Sequence, residues 1–372
     1  MIFKASVWKP ARHIASTLLL AVLFIGTVGA LRDLSQTRTF LPDDKRFEYV
    51  GRIDFSNPDL PRFWSPGVYI TAKFAGSNCA VLLNDQVLWG SSHNYVEVVV
   101  DGDAKRYHLN GFSNVIQVNG LTDGPHTLVV CKDTESGIGY LEFVGLQCQE
   151  LLIPDPLPKR KMEFVGDSIT AGAGTDISDS PCGQPNWYGQ HNNYESYGPK
   201  TARLLNAQWM VSAVSGIGLI HSCCNMSFTM PDVYDKIANR PSSDNFAAST
   251  NWDFSRYQPD IVTVCLGQND GPANQNQFVA AYESFVEHLR FVHPMAQIVL
   301  ITSPMGNTQL ITFMKTNLTT IAQHENAAGD NKVSTFFFSR SWNDGCGGHP
   351  SMENDTEVAG ELANYLKTIL RP

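Results

Sequence analysis

The feature that most constrains this chain is a change of rhythm at residues 151–161, "LLIPDPLPKRK", where Pro154, Pro156 and Pro158 run into a short basic stretch. Proline removes a backbone donor and disfavours helix in the residue before it, so this stretch predicts a linker between two domains. Before it, short apolar or alternating runs stand at 68–76, 79–85, 95–102, 114–120, 126–133 and 139–148. Turn pairs such as Asn-Asp, Asp-Gly and Asn-Gly separate them, the pattern of an all-β sandwich or jelly roll over 40–150. After it, apolar runs at 162–166, 208–213, 260–266, 297–302 and 333–338 alternate with helical spacing at 195–206, 275–292, 309–327 and 355–369. Strands apolar on both faces, each followed by a helix, predict an α/β/α flavodoxin-like parallel sheet over 162–372. In such sheets ligands bind beyond the carboxyl ends of the strands.

The first residues are a separate piece. Lys4, Lys9 and Arg12 precede the uncharged stretch 14–30, which closes on Val28-Gly29-Ala30. A basic start, an apolar middle and a small-residue end predict a secretory signal over 1–30, cleaved after Ala30. The alternative is a short uncleaved anchor. Either way the remainder is expected outside the cytosol, with no membrane association of the mature domains. The eight cysteines agree, because an even number in an exported chain suits disulfides, although Cys265 in an apolar run reads equally as a buried thiol. No second cluster at zinc spacing accompanies His221, Cys223 and Cys224, so no metal is expected. Asn225, Asn317 and Asn354 stand in N-x-[ST] sequons, which a eukaryotic host would glycosylate. The formal charge of −9 argues against nucleic acid and polyanionic substrates as partners.

Function resides in four small blocks, each placed after a predicted strand: "GDSIT" (166–170), "SGIG" (215–218), "GQND" (267–270) and "GCGGHPS" (345–351). All four can therefore meet above one edge of the sheet. On "KMEFVGDSITAGAG" alone, Ser168 is either a nucleophile presented at a strand end or a residue capping a helix. The residue types of the four blocks together fit acyl transfer. A serine hydroxyl needs a base to take its proton, and His349 is the natural one near neutral pH. A tetrahedral intermediate needs donors aimed at its oxyanion. Gly216, the Asn269 side chain and the Ser168 amide supply such donors, with Gly218 the alternative glycine. The G-x-S-x-G elbow is absent, which argues against an α/β-hydrolase lipase.

These blocks resemble those of the SGNH (GDSL-type) hydrolases, and within that group the chain is most similar to carbohydrate esterase family 2. "FEYVGRIDF" (47–55), "DGPHTLVVCKDTES" (123–136) and "GYLEFVG" (139–145) resemble that family's N-terminal jelly roll. "FVGDSITAGAG", "TMPDVY", "WDFSRYQPDIVTVCLGQND" and "GHPS" resemble its catalytic domain. The resemblance implies a serine esterase that removes O-acetyl groups from xylan, mannan, glucan or acetylated sugars. It needs no cofactor and is expected to act as a monomer. Ser168 would be the nucleophile and His349 the base, with an oxyanion hole of Ser168, Gly216 and Asn269.

One departure stands out. The wider group places an Asp three residues before the His, where this chain has Cys346. Asp344 is the candidate third member, but some members of family 2 use a Ser–His pair with a backbone carbonyl holding the ring. That dyad is the favoured reading, with Cys346 as a disulfide that fixes the loop. Trp187 and Trp342 are candidate substrate-lining platforms. Tyr197 is assigned to a helix core, and Asp167 and Asp270 to turns and strand ends. Rival readings are an esterase or lipase on other small or lipid esters, and a carbohydrate-binding protein with a silent site.

Overall fold

A computed structural model of the chain describes Met1, residues 37–241 and residues 250–370. The predicted export signal lies outside the described residues. From Arg38 to Leu152 the strands are antiparallel, and they are organised around the 17-residue strand Tyr69–Asp85. At about 3.3 Å per residue a straight strand of that length would run over about 55 Å, too long for one small sheet. The strand changes partner midway. Tyr69–Ala75 pairs with Pro125–Lys132, and Asn78–Asn84 pairs with Ser113–Asn119. Its other edge pairs along most of its length with Leu141–Leu152. The change falls at Gly76, whose φ of +124° suits glycine and whose added Cβ would meet Gln149 at 2.9 Å. The folded-over sheet encloses a core of Phe74, Val81, Leu83, Val98, Val130, Leu141, Phe143 and Leu146. The sequence expectation of two strands at 68–76 and 79–85 is thus met by one bent strand.

Residues 153–159 connect Leu152 to the next strand, Arg160–Gly166. That strand belongs to a five-stranded parallel sheet in the order Ala207–Ala213, Arg160–Gly166, Ile261–Cys265, Gln297–Ile301, Val333–Phe336. In sequence order this is 2-1-3-4-5, and the point where the order reverses lies at the end of Arg160–Gly166. Adjacent residues of each strand serve opposite faces. Phe164 faces the helices Tyr197–Leu204 and Met352–Ile369, together with Tyr197, Leu362 and Leu366. Val165 faces Gln275–Val292 and Thr308–Ala327, together with Phe278, Leu289 and Leu318. Among the described residues no helix is long and apolar enough to cross a membrane.

The two sheets lie within one compact unit that begins at Gln36. Tyr69 of the long antiparallel strand stacks on Trp209 of the parallel sheet's edge strand, with ring centroids 4.0 Å apart. Trp209 also donates its indole N–H to the Gly67 carbonyl at 3.0 Å. Deeper in, the fully buried Arg52 guanidinium lies 3.3 Å from Glu163 of the strand Arg160–Gly166. Burial alone would push the Glu163 carboxyl up, but His293, Arg52 and Ser212 outweigh it and bring it down to about 2. The charge is therefore buried fully paired, the condition under which an ion can be tolerated in a core.

The eight cysteines do not all pair. Cys182–Cys346 and Cys223–Cys224 are disulfides, while Cys79, Cys131, Cys148 and Cys265 are buried thiols. Of the three sequon asparagines only Asn225 is exposed. Asn317 is buried, with its amide donating to the Phe313 carbonyl inside a helix. Asn354 is buried in the capping box that starts Met352–Ile369.

Candidate active site

The strand Arg160–Gly166 ends where a side chain cannot follow: a Cβ on Gly166 would lie 2.1 Å from the Thr170 hydroxyl. The chain then turns into a single helical turn, Ser168–Ala171. Its cap is Asp167, which accepts the Ile169 amide at 3.0 Å. Ser168 is the first helical residue and caps nothing. Its hydroxyl lies 2.8 Å from His349 Nε2. The two alternatives left open by the sequence at this point are therefore separated between adjacent residues, with the cap role on Asp167 and the histidine contact on Ser168.

His349 arrives from the loop after the last strand. Gly347 and Gly348 both adopt left-handed backbone, at φ 63° and 75°, which few other residues tolerate in succession. The turn brings His349 Nδ1 to 3.0 Å from the carbonyl oxygen of Cys346. A carbonyl can only accept, so Nδ1 must carry the proton and Nε2 presents its lone pair to the serine. Burial lowers the His349 pKa, and the Cys346 carbonyl partly opposes that shift. Protonating the imidazole therefore takes more acid than an ordinary histidine needs.

Asp344 does not take the third place. Its carboxylate accepts from the Asn354 side chain at 2.9 Å, and its amide donates back to Asn354 at 3.1 Å. The reason is spacing: five residues before the histidine, this acid faces the start of the last helix instead of the imidazole. Trp342 is likewise corrected. It is 1 % exposed, donates its indole N–H to Glu357 at 2.9 Å and packs edge-on against Phe338. It is a core residue. Trp187 is 49 % exposed, with its ring edge-on to His191 at 4.9 Å between centroids.

The second and third blocks are tied to the first through Asn269. Its amide donates to the Ile217 carbonyl at 2.8 Å and to Asp167 at 3.2 Å. Gly216 sits at φ +81°, and an added Cβ would meet the Cys223 sulfur at 2.7 Å. Gly218 is otherwise engaged, because its amide donates to the Ser222 hydroxyl at 3.1 Å. Asp270 anchors the whole segment by accepting the amides of Leu219, Ile220 and His221 at 2.7–3.0 Å. Burial pushes the Asp167 carboxyl up to about 7, with the nearby Asp270 charge adding to the shift and the Ile169 amide opposing it. Tyr197 belongs to the core as expected, its hydroxyl 2.8 Å from that of Thr170.

Two supports went unseen in the sequence. Glu135, from the antiparallel half, accepts the Ser215 amide at 2.6 Å and so braces the glycine loop. A lone Glu in "CKDTES" carries no pattern that points there. Gly174, in the "GAGTD" stretch, accepts the Cys346 amide at 2.9 Å through its carbonyl. The assembly can perform nucleophilic acyl chemistry: a hydroxyl faces an imidazole lone pair, and glycine and amide donors lie across neighbouring loops.

Comparison with known proteins agrees with the two-sheet fold. The family described as Carbohydrate esterase 2 N-terminal matches residues 49–156, and the GDSL-like Lipase/Acylhydrolase family matches residues 164–335. The chain is 30% identical to the cellulase/esterase CelE of Acetivibrio thermocellus over 88% of its own length, and spans 40% of that protein. It is 25% identical to an acetylxylan esterase / glucomannan deacetylase of Cellvibrio japonicus, covering 91% of this chain and 92% of that one. Among solved structures, a family two carbohydrate esterase from Clostridium thermocellum in complex with cellohexaose is 30% identical, with a TM-score of 0.77. That alignment covers 87% of this chain and 99% of the other. The two-sheet frame is thus matched by kinship along nearly the whole described length: the chain belongs to carbohydrate esterase family 2 and is a carboxylic ester hydrolase.

Proposed function

We propose that this protein is an exported serine esterase that removes O-acetyl groups from plant-type polysaccharides such as xylan, mannan and glucan. The observation that carries the reading is the 2.8 Å contact between Ser168 Oγ and His349 Nε2, with Nδ1 committed to the Cys346 carbonyl. Ser168 attacks the acetyl carbonyl as His349 takes its proton. His349 then returns that proton to the departing sugar alcohol. Water attacks the acetyl-enzyme with His349 again as base, releasing acetate. The oxyanion is held by the amides of Ser168 and Gly216 and by the Asn269 side chain. An oxyanion competes with Asp167 for the second N–H of Asn269. Asp167 is the weaker acceptor when neutral, as its pKa of about 7 allows. None of these steps calls for a metal or organic cofactor.

The substrate class rests on the relatives' names, acetylxylan esterase and glucomannan deacetylase, and on the cellohexaose held by the solved relative. Export rests on the signal-like first 30 residues and the two disulfides. The test is acetate release by the purified, disulfide-bonded protein from acetylated xylan and glucomannan, beside hydrolysis of a long-chain ester. Release of acetate with little long-chain turnover is expected. Turnover that prefers the long-chain ester would replace this reading by a lipase-type one. Polysaccharide retention without any hydrolysis would replace it by a binding protein.

The pH dependence has a definite sign. The base works only when neutral, and burial makes protonation harder, so more acid is needed to switch it off. The acid limb of kcat/KM on a soluble acetyl ester is therefore expected below the ordinary imidazole value of 6.5. A limb at or above that value would contradict a buried His349 as the titrating group.

A further inference from the structure

In a dyad of this kind the acceptor for Nδ1 is main chain. It cannot be swung into place by a side-chain rotamer; wherever residue 346 goes, the carbonyl goes. The backbone around it is unusually free, because Gly345, Gly347 and Gly348 flank Cys346 and glycine carries the most conformational entropy. Several contacts oppose that freedom. Within the loop, the Gly345 amide donates to the His349 carbonyl at 2.8 Å and the His349 amide donates to the Cys346 carbonyl at 3.2 Å. The Cys346 amide donates to the Gly174 carbonyl at 2.9 Å. The Cys346 side chain is bonded to Cys182, across 164 residues of sequence. Cys182 lies on the segment that also carries the exposed Trp187, and Trp187 touches His191 edge-on.

We propose that the Cys182–Cys346 disulfide is a positioning element of catalysis, holding the Cys346 carbonyl on His349 Nδ1 so that the imidazole keeps the tautomer able to accept the Ser168 proton. The proposal rests on the serine-esterase reading above. Cys182 is exposed and Cys346 is buried, so the bond is open to attack from the Cys182 side. The thiolate of a small dithiol attacks the Cys182 sulfur and expels the Cys346 thiolate, which takes up a proton. The second thiol of the reagent, deprotonated, then attacks the mixed disulfide and closes a ring. The reagent ends oxidised as a cyclic disulfide, and the protein ends with two thiols. Once the bond is open, residues 345–348 gain freedom and the Cys346 carbonyl, then held to His349 by the His349 amide at 3.2 Å, is less closely fixed on Nδ1. Both imidazole tautomers are then populated, and the Nε2–H form cannot accept from Ser168. A weaker Nδ1 contact also removes support for the imidazolium, which moves the acid limb to still lower pH.

The experiment compares the full chain with Cys182→Ser and Cys182→Ser/Cys346→Ser on a small acetyl ester, at several pH values. Thermal unfolding is measured alongside. The expected result is a fall in kcat of about 10- to 100-fold, part of the 10²–10⁴ that a positioned base supplies. KM is expected to stay within about twofold, because the acyl-binding groups are untouched. The acid limb is expected at lower pH. A merely structural cross-link would lower the unfolding temperature but leave kcat and the acid limb of the folded fraction where they were, and that result would overturn the proposal.

Should the variants fail to fold, the wild type itself is titrated with a dithiol, and peptide mapping follows 182–346 and 223–224 separately. Activity should fall in step with opening of the 182–346 bond and return on reoxidation. Activity indifferent to that opening overturns the proposal as well. Loss of Ser168-dependent hydrolysis only in the opened forms is a result of the disulfide. An oxidised wild type with no Ser168-dependent hydrolysis refutes the esterase reading, and the proposal with it.

Discussion

Ser168→Ala is expected to lower kcat/KM on acetyl esters by about 10⁴- to 10⁶-fold, since it removes the hydroxyl that faces His349 Nε2 and leaves a residual rate from binding and oxyanion contacts. The fold should hardly register the change. The cap of the helical turn is Asp167, and the serine gives up only its 2.8 Å contact with His349. A hydrogen bond of that kind contributes about 1 kcal/mol net, and the histidine keeps its other partner. Initial rates together with a thermal melt check both halves of the expectation. A wild-type-like rate would show that the hydroxyl is not the nucleophile. A large drop in melting temperature would mean that Ser168 carries structure after all. Retention on acetylated polysaccharide should be the same in both forms, because the binding surface is untouched.

The second large effect separates dyad from triad. His349→Ala should reduce kcat by about 10⁴-fold or more, as removal of the base from a serine site does. Asp344→Asn should leave kcat within about twofold, because the carboxylate serves Asn354 at 2.9 Å and the imidazole is served by a carbonyl. In a true triad, the corresponding Asp-to-Asn change costs about 10⁴ in kcat by favouring the wrong tautomer. Rates of the two variants on the same ester decide the matter, and a large loss in Asp344→Asn would restore the acid to the third place.

The parallel half of the fold was legible because its strands are buried on both faces. Phe164 and Val165 serve opposite layers, and such strands read as continuous apolar runs. The helix predicted over 275–292 matches Gln275–Val292, and its Asn274 side chain caps it by accepting from Gln277. In the antiparallel half the strand Asp103–His108 was missed, since "DAKRYH" is polar and largely exposed and shows no apolar alternation. The blocks around Ser168 and His349 were legible because catalytic side chains at strand ends make short recognisable patterns. The acceptor of Nδ1 had no such signature, because every residue has a carbonyl and only the backbone path chooses among them. Trp342 was misread for a similar reason. Proximity in sequence to His349 does not set which way an indole points, and Phe338 and Glu357 hold it inside. The partner of Cys346 lies 164 residues away, beyond any local rule.

The Glu135 carboxylate on the Ser215 amide makes the glycine loop of the parallel half depend on the antiparallel half. A hydrolase half grafted onto a foreign β-domain would bring its serine and histidine intact, yet the glycine loop beside them would lose its brace and leave the half-buried Ser215 amide without its carboxylate. A transplant of this site should therefore cut outside the pair and carry both sheets together. A free-standing fragment cut at residues 153–159 is, on this view, a poor starting point for engineering.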